Sequence, residues 1–329
     1  EGRFATPEYE LVMDKDQAEV MHIDFEDGTS FEATGAEIYE IVFNSGQPWI
    51  ISANGTIFTY EKKGIIPGLL ERWYAERKEL QAKAVAAREE GGDKFAFWDK
   101  RQLVKKINLN SLYGAILNPG CRFYDKRIGQ STTLTGRMIT RHMGAETNRM
   151  LTGEYDHEGA TVVYGDTDSV YFSAQPALEP GQELDMDSAI ALYDKISNDV
   201  SSTFPGFLKK EFNVPLQAGQ VMKAGREVVG RAGLFITKKR YAIQCLDIEG
   251  WQPEGGKLKA MGLDLKRSDT PEFIQDFLEE ILDSTLEGEG EDAVIQKIKD
   301  FKAHFKSLEP WKKGMPKRVN NLTKYTKKL

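Results

Sequence analysis

Apolar residues recur at helical spacing along two neighbouring segments in the first third of the chain. Pro67 opens the first segment, which continues through charged and alanine-rich residues to about Arg88, and proline is favoured in the first turn of a helix. The second segment runs from about Lys94 to Leu112, after a glycine-rich and acidic break at 89–93. Two helices joined by so short a break are expected to pack as an antiparallel helical hairpin.

A third pattern predicts a tight β-hairpin with two acids at its tip. The runs 161–164 and 170–173 are rich in β-branched and aromatic residues, which favour strands. The pentapeptide GDTDS lies between them and carries Asp166 and Asp168. Two carboxylates one residue apart repel each other, and such hard oxygen ligands suit Mg²⁺. The pair therefore indicates a magnesium site for phosphoryl transfer, although Asp also stabilises ordinary turns through its own side chain.

Weaker patterns complete the predicted organisation. They are a strand within 4–13, a helix around 38–43, a hairpin over 49–60 that turns at Asn54-Gly55, helices over 131–152 and 187–204, strands within 226–247, and a helical segment after Pro271. A change of composition near 266–271 predicts a subdomain boundary. The length of 329 residues is enough for two or three subdomains around a sizeable core.

Composition excludes several classes of protein. The chain is 40% hydrophobic and 29% charged, which is ordinary for a globular protein in water. Its two cysteines, Cys121 and Cys245, supply neither a disulfide framework nor zinc spacing, and its four histidines are scattered. No apolar run approaches membrane-spanning length and no signal peptide is present. We therefore expect a cytoplasmic protein without a membrane partner.

Charge is distributed unevenly along the chain. The net charge is −7, but residues 1–40 hold twelve acids and two bases, so the other 289 residues carry +3. Residues 301–329 hold nine Lys or Arg and one acid, Glu309. Such a separation of acidic and basic segments is expected when one end of a protein binds the phosphates of a nucleic acid. A solvated basic tail is the alternative interpretation.

One face of the second predicted helix gathers groups that suit a nucleoside triphosphate. At about 100° per residue, Lys106, Asn110 and Tyr113 fall on the same side. They offer an ammonium group, an amide and an aromatic ring. The facing helix carries Arg77, whose guanidinium can bind phosphate through two hydrogen bonds. Solvated side chains on exposed helices are the ordinary alternative, but the acidic hairpin downstream favours the triphosphate.

These motifs resemble those of the family B DNA polymerases. The pattern Lys-x-x-x-Asn-Ser-x-Tyr-Gly is present in full from Lys106 to Gly114, and YGDTDS over 164–169 resembles the next polymerase motif. The basic element Lys-Lys-Arg-Tyr stands at 238–241. Within the family, the chain is similar to the replicative polymerases of T-even-like phages, through Gly-Arg-Glu at 225–227 and the Pro-Lys-Arg-Val-Asn stretch near the end.

The resemblance, which covers most of residues 50–270, implies a fold and a set of site residues. The fold would be α+β, a right-hand polymerase with an antiparallel-sheet palm, helical-hairpin fingers and the start of a helical thumb. The implied subdomains are an N-terminal acidic segment with palm-edge strands (1–62), fingers (63–115), palm (116–268) and an incomplete thumb (269–329). The implied site residues are catalytic and metal-binding Asp166 and Asp168, the accessory metal ligand Glu227, nucleotide-binding Arg77, Lys106, Asn110 and Tyr113, and DNA-binding Lys238, Lys239, Arg240 and Tyr241.

The implied reaction is template-directed DNA synthesis with two Mg²⁺ ions, for which Mn²⁺ can substitute. The implied partners are primer–template DNA, a dNTP and a sliding clamp. The first family motif, an Asp followed by Ser-Leu-Tyr-Pro-Ser, is not found, and the acids within 24–30 have the wrong spacing. The chain therefore resembles the C-terminal polymerase part of such an enzyme. We expect its activity to need an N-terminal chain that brings the missing Asp and the exonuclease domain.

Two other functions stay open. A non-catalytic DNA-binding subunit would keep the fold without turnover. Another palm-type nucleotidyltransferase, such as a reverse transcriptase or a nucleotide cyclase, would not explain Lys106–Gly114 together with Lys238–Tyr241. The chain also departs from the family pattern at Gln81, where a second basic residue often follows the arginine of the fingers. Lys78 or Lys83 must substitute for it, or the phosphate is held more weakly.

Overall fold

The chain divides into two compact units. The computed structural model of the protein describes residues 20–24, 28–89, 94–182, 184–317 and 320. The first unit holds the described residues up to His142 together with Thr203–Met222. The second unit holds Met143–Ser202 and the described residues from Lys223 onward. Each unit is therefore assembled from two separate stretches of the sequence.

The described residues form nine strands and eight α-helices. In chain order they are β1 Val20–Asp24, β2 Ser30–Thr34, α1 Gly35–Tyr39, β3 Trp49–Ile51, β4 Ile57–Thr59, α2 Ile65–Glu89, α3 Lys94–Ile116, α4 Lys126–Thr152, β5 Val162–Asp166, β6 Ser169–Phe172, α5 Met186–Phe212, α6 Leu216–Gly219, β7 Val228–Thr237, β8 Arg240–Ile248, β9 Lys257–Met261, α7 Glu272–Leu286 and α8 Glu291–Ser307. The strand pairs in this part of the chain are all antiparallel, so the predicted α+β class is confirmed. The division into palm, fingers and thumb stays a prediction, and the strand predicted within 4–13 lies outside the described residues.

The first helix begins at a capping box. Thr34 Oγ1 accepts a hydrogen bond from the Glu37 N–H at 3.2 Å, and Glu37 Oε2 accepts one from the Thr34 N–H at 2.7 Å. These bonds satisfy two backbone donors at the start of the helix. The chain continues as a π-helical turn, Glu40–Asn44. Ile38 and Val42 are buried there, so the helix predicted from their spacing is confirmed.

The β3–β4 hairpin is confirmed, but its turn is shifted from the predicted position. The Gly55 N–H donates to the Ser52 carbonyl at 2.8 Å, so Ala53 and Asn54 occupy the centre of the turn. Gly55 follows with φ +82°, as in hairpin loops where a type I turn precedes a left-handed residue. The buried Asn54 Oδ1 accepts a hydrogen bond from Ser131 Oγ at 2.8 Å. This contact with α4 accounts for the inward position of Asn54.

Helices α2 and α3 form the predicted antiparallel hairpin. Pro67 lies in the first turn of α2, as expected for a residue without a backbone N–H. Helix α3 continues past its predicted end at Leu112 to Ile116. Gly114 lowers helix stability by about 1 kcal/mol relative to Ala. The loop after the helix folds back, however, and the Asp125 N–H donates to the Ile116 carbonyl at 3.0 Å, which satisfies a carbonyl at the helix end.

Two other helices also extend beyond their predicted limits. Helix α4 begins at Lys126 rather than near 131, and α5 continues to Phe212. The sequence pattern of α5 stops at Pro205, because proline lacks the N–H that a helix interior uses, yet the helix passes through it.

None of the helices in the described part of the chain is both long and apolar enough to cross a lipid bilayer.

The second unit packs the three-stranded sheet β7–β8–β9 against α7. Its buried apolar core consists of Ala242, Leu258, Ala260, Leu263, Leu265 and Leu286. Each fully buried leucine contributes about 1.5–3 kcal/mol through removal of its side chain from water. Helix α8 joins α7 through Phe277 and Phe301, whose rings stack with centroids 3.8 Å apart. This packing supports the sheet from which the β7–β8 turn projects.

Candidate active site

Strands β5 and β6 bring the two predicted acids to a hairpin tip, as expected. Asp166 pairs with Ser169 at the end of the ladder, and Thr167 and Asp168 form the turn. The Asp168 N–H and the Ser169 hydroxyl both donate to the Asp166 carbonyl, at 2.6 and 3.1 Å. Thr167 has φ +52°, which is an outlier for a β-branched residue. Such backbone strain costs about 1–3 kcal/mol and is concentrated at functional sites.

Asp166 is held by a lysine from the neighbouring hairpin. Lys239 Nζ donates to Asp166 Oδ1 and to Oδ2, each at 2.8 Å. The hydrogen bond from Lys239 lowers the pKa of the Asp166 carboxyl, and the same bond raises the pKa of Lys239. Both groups therefore stay charged around neutral pH. Lys239 has φ +59° in the β7–β8 turn, so two turns with left-handed, non-glycine residues meet at this ion pair.

Buried polar groups anchor the base of the acidic hairpin. Thr161 Oγ1 donates to Asn148 Oδ1 at 2.8 Å, and the Thr161 N–H donates to the same oxygen at 3.3 Å. Both residues are fully buried, and Asn148 Nδ2 donates to the Glu154 carbonyl at 2.9 Å. A Cβ at Gly159 would lie 2.2 Å from Asn148 Nδ2, so only glycine fits there. Because an unpaired buried polar group costs about 1–3 kcal/mol, this network fixes the start of β5.

An aromatic cluster lies beneath the tip. Tyr164, Tyr171, Phe235 and Tyr241 have ring centroids between 5.2 and 5.9 Å apart, which are favourable separations for aromatic pairs. The Tyr171 and Tyr241 hydroxyls share a hydrogen bond of 2.8 Å. Burial raises the pKa of both phenols. The Lys239 N–H donates to the Tyr164 hydroxyl at 2.8 Å, so the cluster also holds the turn that bears the lysine.

The position of Tyr241 adds to what the resemblance implied. Tyr241 is only 6% exposed, and its hydroxyl is bonded to Tyr171, so it supports the tip from within the second unit. Its predicted contact with DNA stays a prediction. Tyr164 and Tyr171 were not among the site residues predicted from the sequence. They face each other across the β5–β6 ladder, and cross-strand aromatic pairs of this kind could have been expected once the hairpin register was assigned.

The remaining predicted metal ligands are Asp168 and Glu227. The Asp168 side chain is exposed at the tip. Glu227 Oε2 lies 3.5 Å from Lys259 Nζ and forms an ion pair with it. Within the described ranges, no group of three or more His, Cys, Asp or Glu side chains is placed to hold a metal ion. Carboxylate oxygens are nevertheless the donors that Mg²⁺ prefers. The side chains of Asp166 and Asp168 are therefore two chemically suitable ligands for this metal.

The predicted DNA-binding residues stand side by side in the β7–β8 turn. Lys238 is exposed, and Arg240 Nη2 lies 3.7 Å from Asp264 Oδ2. An exposed pair of that kind contributes at most about 1 kcal/mol. Gly262 has φ +62°, and a Cβ there would lie 2.0 Å from the Lys239 carbonyl oxygen. The backbone of Gly262, which follows β9, therefore packs closely against the backbone of Lys239 in this turn.

In the first unit, α2 and α3 place the predicted nucleotide-binding residues along one side of their hairpin. Arg77 Nε donates to Gln102 Oε1 at 3.2 Å. Gln102, Lys106, Asn110 and Tyr113 follow one another along one face of α3, and we call these four residues the α3 row. Lys106 and Asn110 are exposed and Tyr113 is half-buried. The Arg77 guanidinium therefore lies beside the first residue of the α3 row, and its binding of phosphate stays a prediction.

The position that departs from the family pattern is partly buried. Gln81 Oε1 is buried and has no hydrogen-bond partner, which costs about 1–3 kcal/mol. The two lysines considered as substitutes contact aromatic rings. Lys78 Nζ lies 5.5 Å from the Tyr74 ring centroid, and Lys83 Nζ lies 5.2 Å from that of Trp98. Neither lysine therefore lies in the place that Gln81 occupies.

Comparison with known proteins supports the motif assignment. A family model described as DNA polymerase family B matches residues 32–326. The chain belongs to this family. This family B chain is 30% identical over 237 residues to the DNA-directed DNA polymerase of Escherichia phage RB69, across 68% of the chain and 26% of that protein. It is 29% identical over 250 residues to the DNA-directed DNA polymerase of Enterobacteria phage T4, across 69% of the chain and 27% of that protein.

The similarity of the family B chain is not confined to phages. It is 29% identical over 238 residues to the DNA polymerase delta catalytic subunit of Candida albicans, across 71% of the chain and 20% of that protein. The chain spans about a quarter of the length of the phage relatives that it matches. The resemblance predicted from the motifs, including the similarity to T-even-like phage enzymes, is confirmed.

Proposed function

We propose that this family B chain carries catalytic residues for template-directed transfer of deoxynucleotides to a primer 3′-hydroxyl. The observation that supports this most directly is the acidic β5–β6 tip, where Asp166 and Asp168 stand together and Lys239 holds Asp166. The matched relatives are named as DNA polymerases, which supports the same activity. The chain would act as the C-terminal part of a viral replicative polymerase.

Asp168 and Asp166 are the residues that would hold Mg²⁺, or Mn²⁺ in its place, with Glu227 as an accessory acid. When bound, two such ions would lower the pKa of the attacking hydroxyl and neutralise charge on the departing pyrophosphate. Asp168 is exposed and accessible. The lowered pKa of Asp166 keeps that carboxyl ionised, and the Lys239 ammonium group reduces the repulsion between the two acids.

Arg77 and Lys106 would bind the triphosphate of the incoming nucleotide. Gln102 orients the Arg77 guanidinium, and a guanidinium so oriented can bind phosphate through two hydrogen bonds. Asn110 would order the same face. Tyr113 lies seven residues after Lys106, about 10 Å farther along the helix, so it would lie beside the nascent base pair while the lysine binds phosphate.

Lys238, Lys239 and Arg240 would contact the backbone of the primer–template duplex. Contacts of cationic side chains with phosphates carry no sequence information and weaken as salt concentration rises. Binding should therefore be sequence-independent and salt-sensitive. Tyr241 would support this turn through its hydrogen bond with Tyr171, in addition to the DNA contact that the resemblance implies.

We further propose that another polypeptide supplies the Asp of the first family motif, which the sequence does not contain. An N-terminal chain with that motif and the exonuclease acids would complete the metal site at the β5–β6 tip. A sliding clamp is a further proposed partner. The phage sources of the relatives support the cytoplasm of an infected bacterium as the place of action.

Primer extension tests the proposed function. The assay uses Mg²⁺, dNTPs and a primer–template, first with the chain alone and then with an N-terminal fragment that carries the first motif. Extension only in the mixture, abolished by Asp168→Ala, is the expected result. Extension by the chain alone at the rate of the mixture would contradict the need for a partner. DNA binding without extension in either case would favour the non-catalytic subunit.

A further inference from the structure

The loop between α3 and α4 presents an exposed aromatic and cationic surface that the proposed function leaves unused. Phe123 is 66% exposed and Tyr124 is 43% exposed. Arg122, which precedes them, is also exposed. The side chains of these three residues make no hydrogen bond, ion pair or ring contact with any other described residue. Adjacent large apolar groups left in water indicate an interaction surface.

The backbone of this loop, residues 117–125, is well anchored. The Tyr124 N–H donates to the Cys121 carbonyl at 3.1 Å, and the Asp125 N–H donates to the Ile116 carbonyl at 3.0 Å. The Arg127 guanidinium donates two hydrogen bonds to the Asp125 carboxylate, from Nε to Oδ1 at 3.1 Å and from Nη2 to Oδ2 at 2.7 Å. The aromatic rings are therefore carried on a preorganised backbone, which reduces the entropy lost when a ligand binds.

The loop adjoins the aromatic end of the α3 row. The Tyr113 hydroxyl donates to the Gly129 carbonyl in the first turn of α4 at 3.4 Å, and the loop joins these same two helix ends. The row begins beside Arg77, where the triphosphate is proposed to bind, and it ends at Tyr113, beside the proposed base pair. A DNA template strand that continues past a base pair beside Tyr113 would next reach this loop.

We propose that Phe123, with Tyr124 and Arg122, binds the unpaired template strand by stacking against its bases. This inference rests on the proposed polymerase function. The loop and the first residues of α4 together, residues 117–128, carry a net charge of +2 in a chain of net charge −7, which complements phosphate. Aromatic rings and guanidinium planes stack on bases of any sequence. Such contacts suit a template whose bases change at every step of synthesis.

Fluorescence anisotropy with labelled DNA tests the proposal without requiring turnover. One probe is a primer–template with an unpaired 5′ template extension of about ten nucleotides, within the site sizes usual for single-strand binding. The second probe is the same duplex with blunt ends. We expect Phe123→Ala to weaken binding of the extended probe roughly tenfold, the loss usual for one stacked base, and to leave binding of the blunt probe unchanged. Phe123→Trp should retain wild-type affinity because it keeps a stacking ring.

Two further variants sharpen the test. Tyr60→Ala removes another exposed aromatic residue of the first unit and should change neither affinity. Arg122→Gln should weaken binding of the extended probe and reduce its salt dependence. Circular dichroism would establish that each variant is folded.

The outcomes separate this inference from the proposed function. Equal affinities of Phe123→Ala and wild type for the extended probe would overturn the inference, and so would equal losses on both probes. Wild-type extension of primers alongside either result would leave the polymerase function standing. Loss on the extended probe alone, in a chain that fails to extend primers with or without the N-terminal fragment, would support the stacking surface and contradict the polymerase function. Failure of the wild type to bind either probe, together with no primer extension in the mixture with the N-terminal fragment, would overturn both.

Discussion

Lys239 Nζ lies 2.8 Å from each carboxylate oxygen of Asp166, although the two residues are 73 positions apart. The pair joins the β5–β6 tip to the β7–β8 turn, and each of those turns contains a non-glycine residue with positive φ. The Lys239 side chain is 67% exposed, and exposed ion pairs contribute little to stability. We therefore infer that the pair orients the carboxylate rather than stabilising the fold.

Replacement of Lys239 tests this role, with its neighbour as the control. Lys239→Met should lower kcat of the assembled polymerase by up to roughly 100-fold, because a catalytic group displaced by about 1 Å can lose that much. Lys238→Met removes an equal charge from the same turn but leaves Asp166 paired. It should weaken DNA binding, reduce the slope of log affinity against log salt by about 1, and keep kcat. Steady-state primer extension and DNA binding across a salt series measure both effects.

The alternative is that Lys239 contacts only phosphate and does not orient Asp166. In that case Lys239→Met and Lys238→Met would show the same salt slope and the same kcat. Lys239→Arg provides a further check, because it keeps the charge and a donor for Asp166 while changing their geometry. A kcat for Lys239→Arg that is no better than that of Lys239→Met would count against a purely electrostatic role.

The hydroxyl pair of Tyr171 and Tyr241 should show strong coupling in a double-mutant cycle. Tyr241→Phe alone leaves the Tyr171 hydroxyl partly buried without its partner, and we expect a loss of about 1 kcal/mol in the free energy of unfolding. The double variant Tyr171→Phe with Tyr241→Phe removes both polar groups, so it should be less destabilised than the sum of the single variants. Urea unfolding monitored by fluorescence measures the three values. Strict additivity would mean that the hydroxyls do not stabilise each other.

Stability should depend on pH through Asp283 on α7. Burial raises the pKa of this carboxyl above its ordinary value, and repulsion from Glu279 and Glu287 raises it further. Its Oδ1 is buried without a hydrogen-bond partner. Because the folded-state pKa is raised, the folded protein binds this proton more tightly than the unfolded chain. The stability due to Asp283 is therefore complete at low pH and is lost as pH rises through the raised pKa.

Asp283→Asn should accordingly raise Tm at neutral pH, and the gain should shrink as pH is lowered. Asp276→Asn is the matched control, since Asp276 is an exposed acid on the same helix. Differential scanning calorimetry of both variants between neutral and mildly acidic pH measures the gain. An equal gain for Asp283→Asn at every pH would contradict the assignment and indicate a packing effect instead.

Local patterns were sufficient to predict the elements that carry the site. The β-branched runs on either side of Asp166 and Asp168 predicted the β5–β6 hairpin, and the motif from Lys106 to Gly114 stands on α3 as expected. These predictions depend on neighbouring residues, whose preferences act over a few positions. The family assignment followed from the same short motifs.

Long-range contacts explain what the sequence did not reveal. In the shifted β3–β4 turn, the Asn54 side chain is bound by Ser131 on α4, a contact across 77 positions. The pairing of Asp166 with Lys239 depends likewise on how two hairpins pack. A periodic pattern marks which face of an element is apolar, but it carries no information about which distant polar group that element will meet.

Gln81 offers a gain-of-function test of the nucleotide-binding face. It lies one turn along α2 from Arg77, and its unpartnered Oε1 shows that the amide is poorly satisfied there. Gln81→Lys would add a cation next to the proposed phosphate site. A charge-assisted hydrogen bond is about 1 kcal/mol stronger than a neutral one, so KM for dNTP should fall roughly fivefold while kcat changes little. Ala82→Lys adds the same charge at an exposed position on another face of α2 and should leave KM unchanged. An equal fall in KM for both variants would indicate general electrostatic attraction, and an unchanged KM for Gln81→Lys would place the triphosphate away from this turn of α2.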